Sequence, residues 1–210
     1  MNWEWIAGNL GQIVDATVDH IVLTGIAVGV GFALSLVFAM LIYRDRRWYS
    51  PISGLTGVLY TIPSLALFAM LVPITGLTLV TAEIGLVSYT LLILTRSIVS
   101  GLDGVPADVV EAADGMGFTP RGRLARVDFP LAVPLIVAGL RIATVTTIGL
   151  VMVTALIGEG GLGNLMLRGF NFRNYTAVYV GAIVTVALAV VADAVLIWLG
   201  RLATPWSRAR

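Results

Sequence analysis

The chain has 210 residues, 58% of them hydrophobic and only 12% charged, with a mean hydropathy of +0.96 and a net charge of +1. Soluble globular chains carry roughly 25% charged residues, so this composition argues for a membrane protein and against a soluble domain. The absence of cysteine excludes disulfides, thiolate metal sites and cysteine nucleophiles. All thirteen basic residues are arginine, and without lysine no standard P-loop can form.

In chain order, residues 1–19 read as an amphipathic segment at the membrane interface. Trp3 and Trp5 sit at headgroup level, with Ile6, Leu10, Ile13 and Val14 on one helical face. These nineteen residues hold no basic residue and no continuous apolar core, so no cleavable signal peptide is expected. The membrane domain then occupies 20–200. Its first span, Ile21 to Tyr43, is uncharged and long enough for a hydrocarbon core of about 30 Å. Within it, Gly25 and Gly29 form a GxxxG pair that permits close helix contact. The sole histidine, His20, precedes this span with no second ligand near it in sequence, so an interfacial position is expected rather than a metal site.

Arg44, Arg46 and Arg47 end the first span. The second, about Gly54 to Val72, contains Tyr60-Thr61-Ile62-Pro63-Ser64. Pro63 removes a backbone donor, so a kink is expected there, with a carbonyl near Leu59 left free. Pro73 and Gly76 mark a tight turn. The third span, about Leu77 to Thr95, has Glu83 near one end and Arg96 at the other. The fourth, about Leu131 to Ile157, encloses Arg141, and a glycine-rich polar loop follows from Gly158 to Asn174. The fifth, about Tyr175 to Leu199, encloses Asp193, and residues 201–210 are a basic tail.

Five spans put the two ends on opposite sides. Placing the arginine-rich loops in the cytoplasm puts Arg44, Arg46, Arg47, Arg121, Arg123, Arg126, Arg201, Arg208 and Arg210 inside. Only Arg168 and Arg173 remain outside, giving N-out and C-in. Arg141 then lies roughly 15 Å deep and Asp193 roughly 9 Å deep, at 1.5 Å per residue. An unpaired charge at mid-membrane costs at least about 2.5 kcal/mol, so an Arg141–Asp193 ion pair is one reading. The other is that Arg141 faces an aqueous route while Asp193 snorkels to the inner surface.

Between spans three and four lies the one strongly polar stretch, Gly101 to Pro130, with five acids and three arginines. It reads as two short helices joined by glycines. Pro106 suits a first helical position and Asp108 a first turn. Gly115 and Gly117 break the helix, and Thr119-Pro120 restarts it as cap and first residue. Val109, Ala112, Ala113 and Met116 recur at helical spacing, as in an element that docks into a groove.

Two further patterns carry little. Gly158-Glu159-Gly160-Gly161-Leu162-Gly163 matches G-x-G-x-x-G, but a membrane span precedes it, so no dinucleotide site is expected, only a tight turn. Asn174-Tyr175-Thr176 is a formal glycosylation sequon abutting a span. No serine–histidine–carboxylate set is plausible, so catalysis by this chain is not expected, nor is a bound metal or nucleic acid.

Glu111-Ala112-Ala113, then Gly117, then Val127-Asp128-Phe129-Pro130 resembles the EAA signature of binding-protein-dependent ABC importer permeases, spacing included. Val127 and Phe129 replace the usual Ile and Leu. Tyr60 to Ser64, Ala138-Gly139-Leu140-Arg141, Gly160 to Gly163 and Ala192-Asp193 look like the osmoprotectant branch, with Glu159 a departure from the small residue usual in that turn.

The resemblance implies an all-α type I importer permease in the bacterial cytoplasmic membrane, surrounded by lipid. By the same resemblance it would carry glycine betaine, choline, carnitine or proline betaine by alternating access. The EAA helix would be the coupling helix: Val109, Ala112, Ala113 and Met116 form its docking face, Glu111 its rim and Gly117 its exit turn. Its partners would be a cytoplasmic ATPase dimer holding ATP and Mg, a second permease, identical or homologous, and an extracytoplasmic binding protein. This chain itself would bind no cofactor. Tyr60, Phe68 and Tyr89 are pathway candidates because quaternary ammonium groups favour aromatic faces. Thr61, Pro63, Ser64, Glu159, Gly160 and Gly161 are candidates for the pathway or its gate. Methionine, another amino acid or phosphonate remain alternative cargoes; a self-sufficient channel, an ion-coupled carrier and a membrane scaffold are the readings from other classes.

Overall fold

The computed structural model describes residues 1–205, so Arg208 and Arg210 of the tail lie outside the described residues. Among the described residues there is no strand. Helix α1 (Trp3–Gly8) is capped by Asn2, whose side chain accepts from the Trp5 amide. After a break at Asn9, α2 (Leu10–Arg44) runs 35 residues without interruption, because nothing between Leu10 and Arg44 breaks a helix. The 19/20 position thus falls inside α2. Ile13 and Ala16 are buried against later helices, while Leu10 and Val14 remain exposed. His20 is fully buried, not interfacial: its Nε2 donates to the Ile148 carbonyl at 3.0 Å and ties α2 to the fourth span.

The second span is broken. Helices α3 (Tyr49–Thr61) and α4 (Ser64–Thr75) meet at Ile62-Pro63 with a bend of 97°. Pro63 has no N–H for the Leu59 carbonyl and favours an extended Ile62, so α3 stops at Thr61, and the Ile62 carbonyl at the break accepts from the Tyr89 hydroxyl. Pro73 lies inside α4, and the turn comes at Gly76. Helix α5 (Leu79–Asp103) starts on a Thr78 cap and runs two turns past the apolar run, so the polar stretch begins inside a helix. Helix α6 (Ala107–Gly115), α7 (Pro120–Arg123) and a five-residue π-helix (Leu124–Asp128) lead into α8 (Phe129–Thr154). Then come a 3-10 turn (Ala155–Ile157), α9 (Leu162–Asn171) and α10 (Tyr175–Ala203).

Three buried clusters stack along the bundle. One joins Ala39 and Ile42 at the end of α2 to Ile52, Ile98, Val99, Ala132 and Ile136. The next joins Leu23 and Ala27 to Phe68, Ala82, Leu86 and Val151. The last joins Ile13 and Ala16 to α9 and to Ala177 and Val180. The start of α3 thus lies with the end of α2, and α4 lies with the start of α5. Asp103, closing α5, is held at the end of α2 by Arg46 (Nη1–Oδ1 2.9 Å, Nη2–Oδ2 2.9 Å). Among the described residues, four helices are long and apolar enough to cross a membrane, and the bent pair α3–α4, which runs from the end of α2 to the level of the middle cluster, makes a fifth if its two halves are taken as one span. Close approach comes at Gly31, which seats Thr90 of α5, whereas a Cβ on Gly25 or Gly29 would meet nothing within 4 Å. The GxxxG pair instead lines an apolar groove with Thr144, Leu188 and Ala192.

Candidate functional site

The site is built on the short helix α6 and its anchors. Pro106 is its N-cap, in extended conformation, rather than its first helical residue, and Asp108 stands in the first turn where the helix dipole favours an acid. At the other end Gly117 has φ +82, a left-handed conformation that disfavours any Cβ. The Gly117 amide donates to the Asp114 carbonyl at 3.0 Å, and the Phe118 amide to the Ala113 carbonyl at 3.2 Å. This pair of bonds is a Schellman ending, which satisfies two free carbonyls and reverses the chain within two residues. Thr119 then caps α7 by accepting from the Gly122 amide, with Pro120 as first residue.

Ala113 is 1% exposed, whereas Met116 is 71% exposed. Helix α6 packs on α7 and the π-helix, and a small residue at 113 permits that approach. Ala113 is therefore not available to a docking partner, a correction to the face expected from spacing. Glu111, Ala112 and Met116 are open and Val109 is half-buried.

One charged chain links α6 to the bundle. Asp114 accepts from Arg123 Nη1 at 2.7 Å, and Arg123 Nε lies 3.4 Å from Asp128 Oδ2. Tyr43, in the last turn of α2, donates to the same Asp128 oxygen at 2.7 Å. Asp128 is 3% exposed, so these two groups hold a carboxylate that would otherwise be buried alone. Its place in the π-helix has a local cause: Pro130 has no N–H for the Arg126 carbonyl, and the Phe129 amide reaches back five residues to Leu124. Sequence reasoning missed Asp114, Arg123, Asp128 and Tyr43 as a set. Asp128 is a free position in the motif, and Tyr43 is eighty residues from Arg123.

The residues proposed for a pathway separate. Tyr60 is exposed and meets Tyr89 edge-on, ring centroids 5.9 Å apart at 68°. Tyr89 is buried and engaged by the Ile62 carbonyl, so it serves the bend. Phe68 is buried against Gly85. Thr61 is exposed, its hydroxyl donating to the Val58 carbonyl; Pro63 is the N-cap of α4 and Ser64 its first residue. Gly160 packs on Ala155, and Gly161 has φ +49 with room for no Cβ, since one would lie 2.7 Å from the His20 amide nitrogen. These two glycines close the loop onto α8 and α2. Glu159 is half-buried, and its carbonyl accepts from the Thr154 hydroxyl at 2.8 Å.

Asn174 caps α10 through the Ala177 amide. The structure brings Arg141 and Asp193 together in a bidentate contact, Nε–Oδ1 2.7 Å and Nη2–Oδ2 3.0 Å, between α8 and α10.

The described residues thus form a bundle of four membrane-length helices, five with the bent pair taken as one span, with a short helix tied back to α2 and α8. Residues 25–205 match the family described as binding-protein-dependent transport system inner membrane component, and this chain belongs to it. Its relatives include the choline transport system permease protein OpuBB of Bacillus subtilis, 32% identical over 96% of this chain and 93% of that protein. The ergothioneine transport permease/ergothioneine binding protein EgtU of Helicobacter pylori is 41% identical over 81% of this chain but only 30% of its own length. Other relatives are named for osmoprotectant and for glycine betaine/carnitine/choline transport. The fold is also that of a chain of the MetNI methionine ABC transporter in an inward-facing form, with a TM-score of 0.82 at 21% identity, covering 93% of this chain and 97% of that one. The chain is thus an all-helical membrane protein with the fold of a type I ABC importer permease.

Proposed function

We propose that this chain is the permease subunit of an ATP-driven importer for a small zwitterionic or quaternary-amine solute such as choline, glycine betaine, carnitine or proline betaine. The observation that carries the reading is α6. It is a short helix with Glu111, Ala112 and Met116 open; its C-terminal end is tied to the bundle through Asp114–Arg123–Asp128, and the end of α5 just before it is held by Asp103–Arg46. A helix so held is suited to receive force from a partner rather than to act alone. The chain has no lysine for a P-loop, so ATP and Mg belong on a separate ATPase dimer.

With the arginine-rich end in the cytoplasm, the N-terminus lies outside and the C-terminus inside. Five crossings are few to enclose a betaine-sized solute, so two permeases, identical or homologous, pair around the route. ATP binding draws the two α6 helices together, and the anchors pass that displacement to α2, α5 and α8 as rigid-body motion. A separate binding protein delivers cargo from outside. The names of OpuBB and the other relatives support the cargo class. EgtU, the more similar at 41%, supports a second reading in which the quaternary amine is ergothioneine.

The test is co-purification with a candidate ATPase, then reconstitution with a binding protein. Solute-stimulated ATP hydrolysis and uptake are measured for choline, glycine betaine, ergothioneine and methionine. Uptake by this chain in liposomes without ATPase would show a channel or ion-coupled carrier instead. Stimulation by methionine alone would move the cargo to the amino acids.

A further inference from the structure

A cavity away from the open face of α6 borders the anchor residues Tyr43 and Arg123. It lies between the last turn of α2 and α7, measures about 680 Å3, and is lined by Met40, Tyr43, Arg44, Arg121, Arg123 and Leu124. That volume is within the range of ordinary small-ligand sites. Three guanidinium groups border it. Arg123 is neutralised by Asp114 and Asp128. Arg44 and Arg121 have no acid partner among the described residues. The acid next to Arg44 in sequence, Asp45, turns away to accept from the Arg47 amide and cap the following turn. The cavity therefore carries uncompensated positive charge on one wall.

The other wall is apolar. Met40 and Leu124 pack against the buried cluster at this end of the bundle. One to two turns back along α2, Leu41 and Val37 present exposed apolar surface. The cavity thus sits where a bilayer-length helix leaves the hydrocarbon, cationic beyond that boundary and apolar below it. An anion with an attached apolar tail satisfies both walls; a free anion satisfies only the first.

We propose that this cavity binds the phosphate of an anionic phospholipid, with Arg44 and Arg121 as its charged contacts. Guanidinium–phosphate pairing is charge-assisted and geometrically matched, and basic pockets between spans are a recurrent form of headgroup site. The bound phosphate bridges α2 to α7, the segment that follows α6.

The test uses the full chain in mild detergent, exchanged against phosphatidylglycerol, phosphatidylcholine or inorganic phosphate, with retained molecules counted by native mass spectrometry. One phosphatidylglycerol per chain is expected, preferred about tenfold over phosphatidylcholine and not displaced by millimolar inorganic phosphate. The double variant R44A/R121A should lose it by roughly tenfold or more, at about fivefold per arginine. R44K/R121K should retain it, as should R47A, a loss of one charge outside the cavity that matches the single variants. If the double variant does not fold, the singles R44Q and R121Q read the same loss in smaller steps. Undiminished retention in these variants, or equal retention of phosphatidylcholine, overturns the proposal. Displacement by inorganic phosphate assigns the cavity to free anions and overturns the lipid.

Discussion

Gly117 concentrates the backbone constraint of the loop into one residue. Its left-handed φ lets two amides close the end of α6, and any side chain there works against that conformation by about 1–2 kcal/mol. Gly117→Ala should leave membrane insertion intact and weaken ATPase association or coupling, read as loss of co-purified ATPase or of transport-linked hydrolysis. Unchanged association and uptake would remove the coupling role. Tyr43 acts at the other end of the same chain of contacts. Tyr43→Phe takes away the hydroxyl donor to the buried Asp128 oxygen, at a cost of about 1–3 kcal/mol. The variant should unfold earlier in a thermal scan, and Arg123→Ala should cost more because Arg123 contacts both Asp114 and Asp128. Of these residues, Gly117 was legible, since glycine after a short acidic helix has a local meaning. The inward turn of Ala113 was not, because helical spacing names a face without naming what covers it.

Between elements, the bend at Pro63 and the pairing of α8 with α10 make separable predictions. Tyr89 donates to the Ile62 carbonyl at the break before Pro63, so Tyr89→Phe should leave that carbonyl unpaired at about 1–3 kcal/mol, seen as reduced thermal stability. Arg141 and Asp193 share two hydrogen bonds, so a double-mutant cycle with Arg141→Gln and Asp193→Asn should show coupling of about 0.5–3 kcal/mol. Additive effects would mean that each charge is served independently by water. The five apolar runs were legible because span length is set by bilayer thickness, a threshold that composition alone crosses. The 97° angle was not, since a proline shows where a helix stops but not where the next one points. The burial of His20 was also hidden: its partner is a carbonyl 128 residues away, and nothing in the local pattern marks it.

At the scale of the molecule, one end of the bundle gathers the helix ends that α6 joins, and the other holds the glycine loop folded onto α2. The bent pair has a consequence of a different kind. At 1.5 Å per residue, α3 and α4 are about 20 Å and 18 Å long, and two such rods near a right angle rise only about 27 Å if each tilts by 45°. Helix α2, at 35 residues, has length to spare and meets a thicker bilayer by standing more upright. The bent pair has no such reserve against a hydrocarbon core of about 30 Å. Acyl-chain length thus becomes a mechanical variable for this protein. Lengthening the lipid pulls on the Ile62–Tyr89 contact before it strains any straight helix.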